Sequence, residues 1–186
     1  MPRRSSLSSL ASVVSRALVM PAALLGLGLV ACGGETEEPL LGVWQVTSHT
    51  HHAAGCDGPG APATEPPYIQ FQVSDVAGQD VLELVDCSSP TACEVSQGLQ
   101  GRLYTEAVPG GFRAQVFVAA GDSAACALGA RRSDALVAAD GTLRVETRSY
   151  ELRDVSGVVC EGGTARRMFG SLPCLDLDIV VATHLP

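Results

Sequence analysis

Hydrophobic and polar residues alternate in several short segments of the chain, as in β-strands with one buried and one solvated face. In residues 143–150, Leu, Val and Thr occupy every second position, and charged residues lie between them. Residues 68–73 and 112–119 alternate in the same way. Further strands are predicted at residues 41–48, 81–85, 135–138 and 175–185. The pattern therefore predicts an all-β domain.

Turn signals separate these segments. Asp140-Gly141 precedes one strand, and Asp-Gly is a strong hairpin signal. A single short helix is predicted over residues 91–98, because Ser89 offers a cap and Pro90 fits the first helical position. About eight short strands joined by such turns indicate an antiparallel barrel, with a β-sandwich as the alternative.

Two longer segments lack a strand pattern. Residues 53–67 are rich in Gly, Pro and Ala and predict an irregular loop. Residues 157–172 are ambiguous, and their Gly and Ser content favours a loop. No internal repeat or second domain is evident, so residues 40–186 are interpreted as one β-domain.

Residues 1–31 have the composition of an export signal rather than of a folded segment. Arg3, Arg4 and Arg16 supply the positive charge of such a signal. Residues 17–30 form an apolar run of 14 residues, shorter than the roughly 20 that a membrane-spanning helix needs.

The apolar run ends in Leu29-Val30-Ala31-Cys32, which resembles the lipobox of bacterial lipoproteins. The resemblance implies that Cys32 becomes the first mature residue and carries diacylglycerol and a further acyl chain such as palmitate. In the lipoproteins that this motif resembles, an Asp directly after the lipidated Cys retains the protein in the inner membrane. This chain has Gly33 at that position, so the resemblance favours the outer membrane. Residues 32–39 then form an acidic, flexible tether. The alternative is an ordinary secretory signal that leaves Cys32 as a thiol.

The charged residues exclude some classes of partner and mechanism. All 12 basic residues are Arg, and without the three Arg of the signal the chain carries nine Arg and 20 acidic residues, a formal charge of −11. An acidic body repels nucleic acid and anionic membrane surfaces. With no Lys, mechanisms that use a lysine amine are excluded. We expect no nucleic-acid partner and no cofactor.

The seven cysteines divide into one for the anchor and six others. An even set in an exported chain indicates disulfides, because the periplasm is oxidising. Zinc is disfavoured because the sequence has no CxxC pair, and free thiols remain the other alternative. Local spacing suggests the disulfides Cys87–Cys93 and Cys160–Cys174, which leaves Cys56–Cys126 by elimination. The sequence alone allows other pairings.

Gly42 and Trp44 form a G-x-W triplet at the start of the first strand. The triplet resembles the signature of lipocalin-like proteins, which implies an eight-stranded barrel with Trp44 closing one end. An Arg from the last strand often packs on that Trp in the family, whereas the last strand here offers His184. The whole chain is also similar to small disulfide-bearing lipoproteins of unknown function from high-GC Gram-negative bacteria.

His49-Thr50-His51-His52 is the only concentrated ionisable cluster. If Trp44 points inward, strand alternation places His49 and His51 together on the outer face.

Pairing of the first and last strands would bring carboxylates to these histidines. With Gly42 opposite Leu185, each of the two histidines lies opposite an Asp. Such a set suits Zn²⁺ or Cu²⁺, but exposed His–Asp pairs are the favoured interpretation and no metal is assigned. The weak candidates are His49 with Asp178 and His51 with Asp176.

Catalytic motifs are weak. Gly121-Asp122-Ser123 resembles the nucleophile motif of a lipase and esterase family, which also needs an Asp three residues before a late His. Val181 stands there before His184, so the triplet is interpreted as a turn. Arg131-Arg132 and Arg166-Arg167 could grip an anion, but such doublets more often balance an acidic surface. We assign no catalytic residue and expect no enzyme.

The sequence therefore predicts a lipid-anchored protein of the cell envelope, at the outer membrane. A non-catalytic interaction or structural β-domain that contacts another envelope protein is the favoured role. The alternative is a lipocalin-like carrier of a small apolar ligand or lipid, and the remote one is a hydrolase. A carrier should have an open cavity, and a structural domain a filled interior.

Overall fold

The structure, a computed structural model, describes residues 39–64, 66–95 and 102–186, which lie in one compact unit. Strands dominate it, with one short helix, α1 (Gly162–Arg167), and a 3-10 turn at Phe169–Ser171. The strands are β1 (Gly42–His52), β2 (Ala61–Pro62), β3 (Tyr68–Val76), β4 (Gln79–Ser89), β5 (Ala92–Cys93), β6 (Arg102–Tyr104), β7 (Glu106–Val108), β8 (Gly111–Gly121), β9 (Cys126–Val137), β10 (Thr142–Val155) and β11 (Cys174–His184).

All eleven strands belong to one antiparallel sheet, which confirms the all-β prediction. The order is β5-β4-β3-β1-β11-β10-β9-β8-β7, with β2 added to β1 and β6 to β4. Consecutive residues 102–108 supply β6, which pairs with β4, and β7, which pairs with β8. No described ladder joins β6 to β7, so the expected barrel is not confirmed, and the strands do not divide into two stacked sheets.

The main core lies on one face of this sheet, which we call the inner face. Buried side chains from β1, β3, β4, β6, β8, β9, β10 and β11 form a single cluster, so strands from opposite ends of the sheet order meet there. Trp44, Phe71 and Tyr104 are its largest members, each 1–2% exposed. Burial of such side chains contributes about 1.5–3 kcal/mol each. The sheet is therefore held in its curved form by apolar packing on its inner face.

Trp44 marks the end of the inner face where β1 begins, which we call the Trp44 end. Its indole N–H donates to the Leu40 carbonyl at 2.9 Å. His184 is the cross-strand partner of Trp44, and the two rings meet edge to face at 4.9 Å between centroids. His184 thus packs where the lipocalin pattern has an Arg. Gly42 has a φ of +115°, and a Cβ there would lie 2.8 Å from the imidazole Nε2 of His184.

A second cluster covers the opposite, outer face of β8, β9 and β10. Leu128 and Ala130 are buried there beneath Ala165 of α1 and Leu172. Residues 157–172, interpreted as a loop from the sequence, therefore contain a helical turn whose apolar side covers the sheet. The disulfide Cys126–Cys160 joins this segment to the start of β9.

The described residues contain three disulfides, and one has the predicted pairing, Cys87–Cys93. The other two predicted pairs are wrong, because the bonds are Cys56–Cys174 and Cys126–Cys160. The sheet order explains the difference. Cys56 follows β1 and Cys174 begins the neighbouring β11, so the two are brought together by strand pairing despite a sequence separation of 118.

The predicted helix at residues 91–98 is also wrong in its described part. Ala92–Cys93 forms β5, which pairs with the end of β4 next to the Cys87–Cys93 bond. The local disulfide favours an extended hairpin over a helical turn. Residues 96–98 lie outside the described residues. The loop predicted at 53–67 is irregular apart from the two residues of β2 in its described part.

In the part of the chain that the structure describes, no helix has both the length and the apolar character required to span a bilayer.

We expect Gly42→Ala to lower the free energy of unfolding by about 1–3 kcal/mol, because alanine rarely adopts this φ and its Cβ would crowd His184. Gly141→Ala is the matched control, since Gly141 has a φ of +80° with open space around its Cβ position. Denaturant unfolding should show the larger loss for Gly42→Ala. Equal losses would contradict the role given to the His184 contact.

Candidate functional site at the histidine end

The inner face can be read as rows of side chains that run across the strands, because residues directly paired between antiparallel strands share a face. We number three rows from the core toward the end where β1 finishes, which we call the histidine end. The first is Phe112, Ala135, Val145, Val180 and His49; the second is Ala114, Ser133, Thr147, Asp178 and His51; the third is Val116, Arg131, Ser149 and Asp176.

A β-bulge in β1 places the histidines on this face. Val46 pairs with Ala182 and Ser48 with Val181, so Thr47 is an extra residue. The hydroxyl of Thr47 donates to the Val181 carbonyl at 3.0 Å. One added residue exchanges the inner and outer positions that follow it, since side chains alternate with period two. The prediction that His49 and His51 lie on the outer face is therefore wrong.

Both histidines contact one carboxylate. His49 Nε2 lies 3.0 Å and His51 Nδ1 2.8 Å from the same Oδ1 of Asp178. The side chain of His49 is 7% exposed and that of His51 39%, so His49 is the deeper of the two. Nδ1 of the neighbouring His52 hydrogen-bonds to the Gly58 carbonyl instead.

The predicted register and the predicted pairing of His51 with Asp176 are wrong. His49 pairs with Val180 and His51 with Asp178, while Asp176 lies in the next row. Trp44 already pairs with His184 rather than with Thr183, one residue away from the predicted register, and the bulge adds the second residue of the shift. Within the described residues no group of three or more His, Cys, Asp or Glu side chains is arranged to hold a metal ion.

A chain of hydroxyl groups continues the second row. The Tyr104 hydroxyl lies 2.7 Å from Ser133 Oγ, which lies 2.9 Å from Thr147 Oγ1. All three residues are buried. Thr147 pairs across the strands with Asp178, so this row is polar from β9 to β1. Buried polar groups are tolerated when their hydrogen bonds are satisfied, as these hydroxyls are.

Burial falls abruptly beyond the second row. Ala114 is 6% exposed, whereas Val116 and Val118, the next inner residues of β8, are 55% and 57% exposed. They line a pocket of about 220 Å³ with Gly129, Arg131, Glu151 and Leu175. Leu175 is the extra residue of a second bulge, in β11. The interior is therefore filled from the Trp44 end to the hydroxyl row and open at the histidine end.

Two guanidinium groups act on the hydroxyl row. Burial raises the pKa of Tyr104, and the Ser133 hydrogen bond and the charges of Arg102 and Arg131 oppose that rise. Arg102 forms an ion pair with Asp86. Arg131 has no ion pair with any carboxylate of the described residues, whereas its neighbour Arg132, on the outer face, lies 2.9 Å from Asp134.

All three disulfides lie at or beside the histidine end. Cys87 is near the end of β4, Cys126 begins β9 and Cys174 begins β11, and antiparallel pairing brings these strand ends to the same side of the sheet. Gly55 N–H also donates to the Leu175 carbonyl at 2.9 Å. A second pocket, of about 460 Å³, adjoins the Cys87–Cys93 bond and the carboxylates of Asp86 and Glu94.

Two further sequence motifs, the Gly121-Asp122-Ser123 triplet and the Arg166-Arg167 doublet, have structural roles. Asp122 Oδ1 accepts hydrogen bonds from the backbone N–H groups of Ala124 and Ala125 at 2.8 and 3.2 Å, which lower the pKa of Asp122. The Gly121-Asp122-Ser123 triplet thus forms the turn between β8 and β9. The guanidinium of Arg166 lies 5.8 Å from the centre of the Phe117 ring, on the outer face.

No protein-family model, curated protein or solved structure matches the chain.

Sequence reasoning identified the two histidines and Asp178 but did not assign roles to Tyr104, Ser133, Thr147 or Val116. Alternation had already placed Thr147 with Leu143 and Val145, on the apolar side of its strand. A polar residue in an apolar series is the signal that could have suggested a buried hydroxyl.

We expect Ser133→Ala to destabilise the protein more than Tyr104→Phe. Removing the Ser133 hydroxyl leaves two buried hydroxyls without this partner, at a cost of about 2–3 kcal/mol, whereas Tyr104→Phe leaves the Ser133–Thr147 bond in place and costs about 1 kcal/mol. Denaturant unfolding measures both. A greater loss in Tyr104→Phe would contradict a central position for Ser133.

Proposed function

We propose that the protein is a lipid-anchored component of the cell envelope whose β-domain is a non-catalytic binding module. Its binding site is the open histidine end, and its occupant is a small ligand with an apolar part. The observation that carries this proposal is the change in burial along β8, from Ala114 at 6% to Val116 at 55% exposed on the same face.

The arrangement supports binding rather than mere stability. Exposed valines on the inner face contribute little to folding, and apolar side chains beside an open pocket are a common feature of ligand sites. The disulfides Cys126–Cys160 and Cys56–Cys174 restrain the starts of β9 and β11, which supply residues of this pocket. A restrained site loses less conformational entropy when a ligand binds.

The Trp44 end supports the lipocalin-like interpretation. Trp44 fills the interior at one end, and the opposite end is open, which is the division of roles that the G-x-W resemblance implies. We propose that residues 102–108, which pair with β4 and β8 in turn, complete a barrel-like enclosure.

The anchor would act through Cys32 and the tether. Leu40 is buried beside Trp44, so the chain enters the domain at the Trp44 end. The seven residues 33–39 span at most about 25 Å. We propose that the anchor holds the Trp44 end toward the membrane and leaves the histidine end accessible from the aqueous side, with two or more acyl chains needed for stable attachment.

A second candidate is a protein-interaction domain without a small ligand. The exposed Val73 and Leu175 favour it, as does a cluster of ion pairs on the outer face of β8–β10, where Arg113, Arg132 and Arg148 surround Asp134. The histidine end remains the first choice because its apolar residues line a pocket rather than a flat face.

Metabolic labelling with alkyne-palmitate tests the anchor. We expect the wild-type chain to be labelled and to sediment with outer membranes, and Cys32→Ser to lose both properties. Gly33→Ala is the control, since it alters the tether without removing the thiol, and it should be labelled normally. Labelling of Cys32→Ser at the wild-type level would overturn the anchor assignment.

Non-denaturing mass spectrometry of the purified lipoprotein tests the binding module. We expect a mass above that of the chain and its anchor, lost in Val116→Glu, which places a charged group in the pocket, and kept in Val73→Glu. Val73 is a matched control because it is 46% exposed and lies beyond Phe71, toward the Trp44 end. A wild-type mass equal to chain plus anchor would count against the small-ligand proposal.

A further inference from the structure

The pocket at the histidine end combines apolar side chains with one positive charge that has no acidic partner among the described residues. Val116, Val118 and Leu175 supply the apolar wall, and Arg131 lies among them. Resting on the proposed function, we infer that this site selects an amphiphilic anion, a molecule with an acidic head and a short hydrocarbon part.

Arg131 differs from the other arginines of residues 102–186 because it contacts neither a carboxylate nor an aromatic ring of the described residues. Arg102, Arg113, Arg132, Arg144, Arg148, Arg153 and Arg167 each contact a carboxylate, and Arg166 lies over an aromatic ring. In a protein with so many carboxylates, a guanidinium that pairs with none of the described ones is available to an external anion. Its planar donors match a carboxylate or phosphate group.

The neighbouring acidic groups are already engaged or lie farther along the row. Glu151, which also lines the pocket, pairs with Arg153 at 2.9 Å. Asp178 is engaged by the two histidines, and Asp176 is separated from Arg131 by Ser149, one strand on either side. These carboxylates therefore already have cationic or imidazole partners or lie a strand away, whereas Arg131 has no carboxylate partner among the described residues.

The depth of the pocket limits the size of the ligand. The Tyr104–Ser133–Thr147 hydroxyl row is the adjacent row on the core side, and Gly129 contributes no side chain to the lining. A Cβ at position 129 would lie 3.0 Å from Val118 Cγ2. The volume of about 220 Å³ suits a short hydrocarbon segment rather than a complete long acyl chain.

Calorimetry with the full lipidated chain in phosphatidylcholine nanodiscs tests the inference, with empty nanodiscs as the blank. The probes are octanoate, octylammonium and octanol, which share a hydrocarbon chain and differ in charge. We expect saturable binding of octanoate, weaker binding of octanol and none of octylammonium. Octylammonium binding as tightly as octanoate would overturn the selection of an anion.

Substitution of Arg131 gives the matched comparison. Arg131→Gln should weaken octanoate binding about tenfold or more and leave octanol unchanged, while Arg131→Lys should retain much of the affinity. Arg132→Gln, on the outer face of the same strand, should change octanoate binding by less than about twofold. Equal octanoate affinity in wild type and Arg131→Gln, or an equal loss in Arg132→Gln, would overturn the role of Arg131. Unchanged thermal unfolding shows that each variant is folded.

The anion could be a free amphiphile or the head of an acidic membrane lipid, and the nanodisc composition separates the two. If phosphatidylglycerol nanodiscs lower the octanoate affinity of wild type and of Arg132→Gln but leave that of Arg131→Gln unchanged, a lipid head competes for the site. An unchanged affinity in all three proteins indicates a free amphiphile. Binding of octanol without octanoate would refute the anion inference while leaving the small-ligand proposal intact. Binding of none of the probes would overturn the inference, with the mass measurement deciding the proposed function.

Discussion

The position of one extra residue in β1 determines what the inner face contains. Without the bulge at Thr47, Ser48 and Thr50 would follow Trp44 and Val46 on the inner face, and the histidines would point to solvent. With it, His49 lies beside Val180 and His51 beside Asp178. A single insertion changes a hydroxyl-lined end into one with two imidazoles on a carboxylate, because the side-chain period of a strand is two.

The two ends of the inner face are stabilised by different means. At the Trp44 end, aromatic and aliphatic side chains fill the interior, and burial suffices. At the histidine end, polar groups and a pocket take the place of that packing, and the disulfides restrain the loops. Cys56–Cys174 closes a loop of 118 positions, for which the chain-entropy model gives about 4–5 kcal/mol. The open end therefore retains its form without a filled core.

Strand alternation revealed most of the fold, because half-buried strands leave a clear period of two in the sequence. The sequence pattern located part of every long strand, although it marked only the last three residues of β9 and stopped five residues short of the end of β10. The bulge could not be predicted from the sequence because Thr is common in strands, and no neighbouring residue distinguishes an inserted Thr47 from a paired one. The disulfides Cys56–Cys174 and Cys126–Cys160 could not be predicted because they depend on which elements are neighbours in the fold. Arg131 and Arg132 form one doublet in the sequence, but their side chains lie on opposite faces of the sheet.

The charge of the body and the charge in the pocket act in opposite directions on an anionic ligand. The chain's formal charge of −8 repels anions at long range and slows their approach, while Arg131 attracts them at contact. Repulsion from the whole body grows with the charge of the ligand, but a single guanidinium satisfies only one acidic group. A polyanion therefore gains one contact and experiences the full repulsion. The combination favours a ligand with one negative charge and an apolar remainder, for which Val116 and Val118 supply the rest of the contact.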